Sequence, residues 1–351
     1  MDELTPTPEI SPEPEPPKPT RNLRWVFIGK NGLIRAGWGI ALFILISFAC
    51  ILGLKALVQH LLHPAHLSNG PMPPSTGLLF GGLQLLCVVI ATGALALIER
   101  KSLLAYGYQG AYRAVRFISG LAWGFIAISA LVLVLWKAGL LVFDGQLLHG
   151  VTIWKDAALW GLAFVGSVIF EESLLRGYVQ YAFTRGVGFW WGALIFSFLF
   201  GFAHGTIPGE TPIGLFSAGA AGLIFCISLW YTGSLWWAVG FHSAWDWGES
   251  YFYGTSDSGH IVRGHLFAEH PIGNILWSGG KTGPEGSLLV IPLLLLIALF
   301  IWLWWGHRVQ SPFAGSGWRP AWSRRPRTIE AEIMEREASR WQDGDAPFTA
   351  S

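Results

Sequence analysis

An all-α, polytopic transmembrane helical bundle of about eight spans is the fold the sequence predicts, on three observations. Of 351 residues 52% are hydrophobic and 13% charged, a charged share roughly half that of a soluble domain. The apolar residues fall in blocks of about twenty with almost no charge, the length an α-helix needs to cross ~30 Å of hydrocarbon. Lys and Arg gather between alternate blocks, as positive-inside sorting requires. The 20 Trp and 44 Gly suit the same environment, Trp at the interfaces and Gly where helices pack closely. A net charge of +1 provides no basic field for nucleic acid.

Taken in order, residues 1–32 form a Pro/Glu-rich tail. Seven prolines and five acids lie between Met1 and Thr20, a composition that neither packs nor holds a helix and is expected to be disordered. The long polar lead argues against a cleaved signal peptide, so the first apolar block is expected to remain as a span. The bundle, 33–306, reads as spans near 36–58, 78–98, 117–137, 157–180, 189–204, 212–231, 235–251 and 286–305. The fifth and seventh are short and rich in Gly and aromatics, and the count is seven if one of them is re-entrant. Lys18, Arg21, Arg24, Lys30 and Arg35 precede the first span, and Arg100, Lys101, Arg113 and Arg116 separate the second from the third. Both segments are therefore expected in the cytoplasm. Eight spans return the C-terminal tail, 307–351, to the same side with Arg308, Arg319, Arg324, Arg325 and Arg327. Both termini are thus expected to be cytoplasmic, with the bundle in the plasma (inner) membrane of a bacterium. Thr328 to Trp341 reads as a solvated tail or a short surface helix. Cys50, Cys87 and Cys226 sit singly in separate blocks and read as packing residues. His260, His265 and His270 follow no ligand spacing, so the loop from Phe252 to Glu285 reads as a solvated outer loop.

Three motifs place polar groups where apolar ones belong. Phe170-Glu171-Glu172-Ser173-Leu174-Leu175-Arg176 puts three charges into the fourth span, each costing ~2.5–3.5 kcal/mol on insertion scales. The sum, on the order of 8–10 kcal/mol, is tolerable only if the groups face the bundle interior, pair or meet water. Glu172 and Arg176 are four apart in the favourable acid-first order and form a structural ion pair. Glu171 points ~100° away and is left available as a general base. Span five ends in Phe200-Gly201-Phe202-Ala203-His204, and span seven contains Phe241-His242-Ser243-Ala244-Trp245-Asp246. His204 stacks over Phe200, while His242 and Asp246 share a face. Such a pair suits metal ligation, a base with its orienting acid, or donation to a developing oxyanion. By rise per residue Glu171 lies roughly 18 Å from the inner helix end, His204 about 21 Å and His242 about 11 Å, which sets His242 nearer the cytoplasm. Glu171, His204, His242 and Asp246 are the candidate catalytic set. They are equally candidate ligands for a divalent metal such as zinc, which takes three protein ligands plus water. A rival reading makes them the ion or proton relay of a transporter, although all of them lie from the fourth span onward rather than in two paired halves. A third is a membrane scaffold without turnover.

In order and spacing, Glu171-Glu172-x-x-x-Arg176, Phe200-x-x-x-His204 and His242-x-x-x-Asp246 resemble the motifs of the family of CAAX prenyl endopeptidases and bacteriocin-processing membrane proteases, over residues 155–250. The resemblance implies a helical bundle whose polar chamber opens to the cytoplasmic side. There a peptide bond of a membrane-tethered protein or peptide is hydrolysed, with the lipid bilayer as the other partner. It also implies that Glu171 activates water with His204, that His242 and the residue at position 246 stabilise the oxyanion, and that Glu172 and Arg176 hold the architecture. Many members carry Asn where Asp246 stands. An ionised Asp accepts but cannot donate, so Asp246 must be protonated or act through a metal or His242. Members have been treated as metalloproteases and as metal-free glutamate enzymes, and the sequence satisfies both.

Overall fold

The computed structural model describes residues 24–29, 32–61, 70–306, 308 and 311–313. The readings of residues 1–23 as disordered and of 328–341 as a tail or surface helix lie outside the described residues. Within the N-terminal tail Arg24–Phe27 forms a helical turn, and Ile28 bridges Ile34.

Among the described residues eight helices of 11 residues or more follow: α1 Ala36–Leu61, α2 Pro74–Glu99, α3 Arg113–Lys137, α4 Val151–Gly186, α5 Phe189–His204, α6 Pro212–Thr232, α7 Trp236–Asp246 and α8 Val290–Trp305. Each falls on an expected span. Five of them, α1, α2, α3, α4 and α6, are long and apolar enough to cross a membrane, whereas α5 and α8 have 16 residues each. Their limits follow local chemistry. Pro opens α2 and α6 at a position whose N–H has no helical partner, and the Thr211 hydroxyl caps α6 by accepting from the Gly214 N–H at 3.2 Å. Gly233 closes α6 in the left-handed conformation.

Two helix pairs distant in sequence make the closest approaches. On α2, Gly77-x-x-x-Gly81 meets α4, and on α3, Gly120-x-x-x-Gly124 meets α7. A β-carbon at Gly81 would run into the Ala163 carbonyl oxygen, and one at Gly120 or Gly124 into that of Trp237 or Phe241. Gly240 on α7 stands in the same relation to the Phe117 carbonyl. In lipid, where apolar contact between helices brings no gain over contact with acyl chains, such backbone proximity is what lets two helices bind. Around these contacts Ile128, Leu131 and Leu135 of α3 pack with Phe225, Trp237, Phe241 and Leu294. Phe43 of α1, Leu95 of α2 and Tyr178 of α4 form a second core.

The bundle carries one addition to the all-α reading. Strand β1 Leu141–Gln146 pairs antiparallel with β2 Phe267–Pro271, with a bulge between Phe143 and Gly145. The segment between α7 and α8 is therefore folded, not the free solvated loop expected from its polar composition. Val262 and Leu266 are buried. The Leu266 N–H donates to Tyr251 O at 2.7 Å, and the Arg263 N–H to Met72 O at 2.8 Å. Backbone groups satisfied in this way let the segment dock over the helix ends.

Candidate active site

The site is built around a change of helical pitch. The α-helical first part of α4 ends at Glu172, and Ser173–Gly177 form a π-turn before α-geometry resumes. Such turns open one residue out of the regular ladder and recur at functional positions. Across it Arg176 Nη1 reaches Glu172 Oε1 at 3.1 Å with both side chains fully buried, the expected ion pair. The guanidinium lies 4.4 Å above the Phe200 ring and enters a gap that exists because residue 222 of α6 is glycine. The same Glu172 oxygen also faces His242 Nδ1 at 3.2 Å. Glu172 thus holds two groups, where the sequence reading gave it one. The second partner lies 70 residues away, and no spacing rule reaches that far.

With Nδ1 directed at Glu172, His242 turns Nε2 towards Glu171 Oε2 at 3.8 Å and Asp246 Oδ1 at 3.6 Å. Glu171 keeps 32% of its side chain exposed against 0% for Glu172, so Glu171 is the carboxylate a solute can reach. His204 ends α5. Its Nδ1 lies 2.7 Å from the Phe200 carbonyl, which leaves Nε2 free. His204 makes no hydrogen bond to Glu171, His242 or Asp246, and meets them across a shared cavity. Phe200 touches His204 and His242 edge-on, at 4.8 and 5.9 Å between centroids.

The depth gap anticipated for His242 does not separate it from Glu171. That arithmetic assumed level helix ends, whereas Gly107 packs between Leu235 and the Arg176 carbonyl. The start of α7 is therefore level with the π-turn of α4, and α4 projects past it to Gly186.

A cavity of about 820 Å³ is lined by Glu171, His204, His242 and Asp246 together with apolar side chains such as Phe164 and Trp245, a size and composition usual for a ligand site. Its wall continues into Met72, Ile207 and Val262. These residues lie at the bundle end opposite the basic segments that precede α1 and α3. The expected cytoplasmic opening and the positive-inside orientation therefore point to different faces. Asp257, Ser258 and Glu285 also line the cavity, none of them singled out by sequence. Burial raises the Asp257 carboxyl above its ordinary value, and burial together with Asp257 pushes Glu285 up to about 8.

As a metal centre the predicted set does not fit. No three of Glu171, His204, His242 and Asp246 offer ligand atoms within 4.8 Å of one another, and zinc requires three protein ligands around one point.

A search of curated proteins and a search of solved structures each found no match. Residues 153–248 match the family model described as Type II CAAX prenyl endopeptidase Rce1-like. That segment contains all three polar motifs, from the carboxylate pair on α4 to His242 and Asp246 on α7, and its match agrees with the resemblance to the CAAX-protease and bacteriocin-processing family of membrane proteases.

Proposed function

We propose that the chain is an intramembrane endopeptidase in which Glu171 is the general base for water. The observation that carries this reading is the division of labour within one carboxylate pair. Glu172 is sealed and held by Arg176 and His242, while Glu171 stands partly exposed in the cavity beside the His242 Nε2. In the proposed reaction Glu171 takes a proton from water as the oxygen attacks the scissile carbonyl carbon. The resulting oxyanion accepts from His242 Nε2–H, a role that needs a proton on both ring nitrogens. Glu171 then passes its proton to the amide nitrogen as the C–N bond breaks, leaving a carboxylic acid and an amine. His204 Nε2 orients the water from the opposite wall. Asp246, an acceptor when ionised, holds His242 Nε2 in direction until the oxyanion forms. Glu172 is a positioning residue that fixes the imidazole through Nδ1.

The substrate reaches this site as a membrane-tethered protein or peptide. The lining residues at the α1–α2, α5–α6 and α7–α8 connections support entry from the face opposite the basic segments, which positive-inside sorting makes the extracytoplasmic one. Cleavage of a membrane-tethered peptide by purified protein is the direct test. Glu171→Gln is expected to abolish it with the thermal unfolding profile retained, and undiminished cleavage by that variant removes the mechanism. Sidedness is checked in a background lacking Cys50, Cys87 and Cys226. Lys281→Cys should react with an impermeant maleimide on intact cells and Arg113→Cys only after lysis, whereas the reverse pattern would place the entrance in the cytoplasm.

A further inference from the structure

Beside the proposed catalytic groups, and including none of them, three carboxylates converge from separate parts of the chain. Glu249 stands in the π-turn Trp247–Tyr253 that continues α7, Asp257 in the segment after it, and Glu285 in the short turn Pro284–Gly286 before α8. One oxygen of each lies within 4.8 Å of the others. Glu249 is fully buried, and neither of its carboxylate oxygens has a hydrogen-bond partner. The Trp245 indole one turn back approaches it outside hydrogen-bonding geometry. Among the described residues no Lys, Arg or His forms an ion pair with any of the three. Crowded acids of this kind oppose folding unless they take up protons or a cation enters among them.

The remaining contacts orient the carboxylates. Ser250 Oγ donates to Asp257 Oδ2 at 3.1 Å, and Ser258 Oγ donates to Glu285 Oε1. Asp257 and Glu285 are thus each oriented by a serine hydroxyl, as outer-shell donors hold metal-ligating carboxylates. Asp257 and Glu285 line the cavity, which provides a path for an ion. The donor set is all oxygen, without Cys or His, which selects hard cations over zinc or copper. Ligand atoms within 4.8 Å of one another can surround one such ion, and three protein carboxylates in an irregular cage suit calcium better than magnesium, which keeps several waters and is held by one or two carboxylates.

We infer that Glu249, Asp257 and Glu285 bind one hard divalent cation, calcium by preference, and that the ion clamps the β2-bearing segment and the start of α8 onto α7 at the rim of the chamber. The site adjoins the proposed catalytic groups and is independent of whether they cleave peptides.

The test uses the full chain in detergent, stripped with chelator and titrated with calcium chloride or magnesium chloride, with thermal unfolding followed by tryptophan fluorescence. Calcium should raise the midpoint by several degrees, saturably and at lower concentration than magnesium. Glu249→Gln and Asp257→Asn should each remove that response, and stripped Glu249→Gln should unfold no lower than stripped wild type because a buried repulsion has gone. Asp257→Asn keeps the test open if Glu249→Gln does not fold. Absence of a calcium-dependent shift in wild type, or a full shift in both variants, overturns the assignment. Since no substrate is involved, failure here leaves the protease reading standing, and failed proteolysis leaves this one standing.

Discussion

Replacing Arg176 with Met isolates the interaction on which the site's geometry rests. Arg176 and Glu172 are 3.1 Å apart with side chains at 0% exposure, and the guanidinium is stacked on Phe200. Met keeps much of the volume and removes the charge, leaving Glu172 buried with His242 as its remaining polar partner at 3.2 Å. Breaking one side of a buried pair costs about 3–5 kcal/mol, because the other charge is left in low dielectric. Removing both charges together is far cheaper. Glu172→Gln alone strands Arg176, whereas the double variant R176M/E172Q is neutral and is expected to lose less stability than either single change. A coupling of about 2 kcal/mol or more should therefore appear in the double-mutant cycle. Equilibrium unfolding in mixed micelles of rising denaturing-detergent fraction, read by intrinsic fluorescence, measures all four proteins. An Arg176→Met variant within about 1 kcal/mol of wild type, or a double variant whose loss equals the sum of the singles, would refute the idea that Glu172 depends on this guanidinium.

Further outcomes are expected elsewhere in the molecule. Gly124→Val should push α3 off α7, since a β-carbon there meets the Phe241 carbonyl; a sharp fall in the detergent unfolding midpoint is expected, and a variant as stable as wild type would show that the helices approach differently. Glu172→Gln, which weakens the grip on His242 Nδ1, should lower kcat more than it raises KM for a tethered peptide; an effect confined to KM would remove the positioning role. The β1–β2 pair should loosen as pH rises. Its His270 is raised above the ordinary 6.5 by Asp144, at 2.9 Å, so that ion pair is complete below about 6.5 and is lost as pH climbs through the raised value. Glu269, pushed up to about 7 by burial, adds the same sign, because its folded form resists ionisation between 4.5 and 7. Hydrogen exchange across 141–146 and 267–271, corrected for intrinsic rates, should therefore show stronger protection at pH 5 than at pH 8, and equal protection would contradict both contributions.

Much of the architecture was legible in one dimension because hydropathy is a local property. Each of the eight helices fell on an expected apolar block, and the Glu172–Arg176 pair formed across a π-turn that spacing alone did not foresee. The G-x-x-x-G spacings at Gly77–Gly81 and Gly120–Gly124 were also present to be read, and they mark the α2–α4 and α3–α7 contacts. The strands were not legible, because β1 and β2 are short, polar in part, and separated by four helices.

By itself, then, the sequence determined the run of spans and which polar groups were too costly to face lipid. Only the tertiary structure decided that His242 shares the carboxylate of Glu172, that the cavity reaches the connections away from the basic segments, and that Glu249, Asp257 and Glu285 meet. The reason is physical: the cost of a charge in hydrocarbon is paid residue by residue, whereas the partner that relieves it is chosen by how distant helices pack.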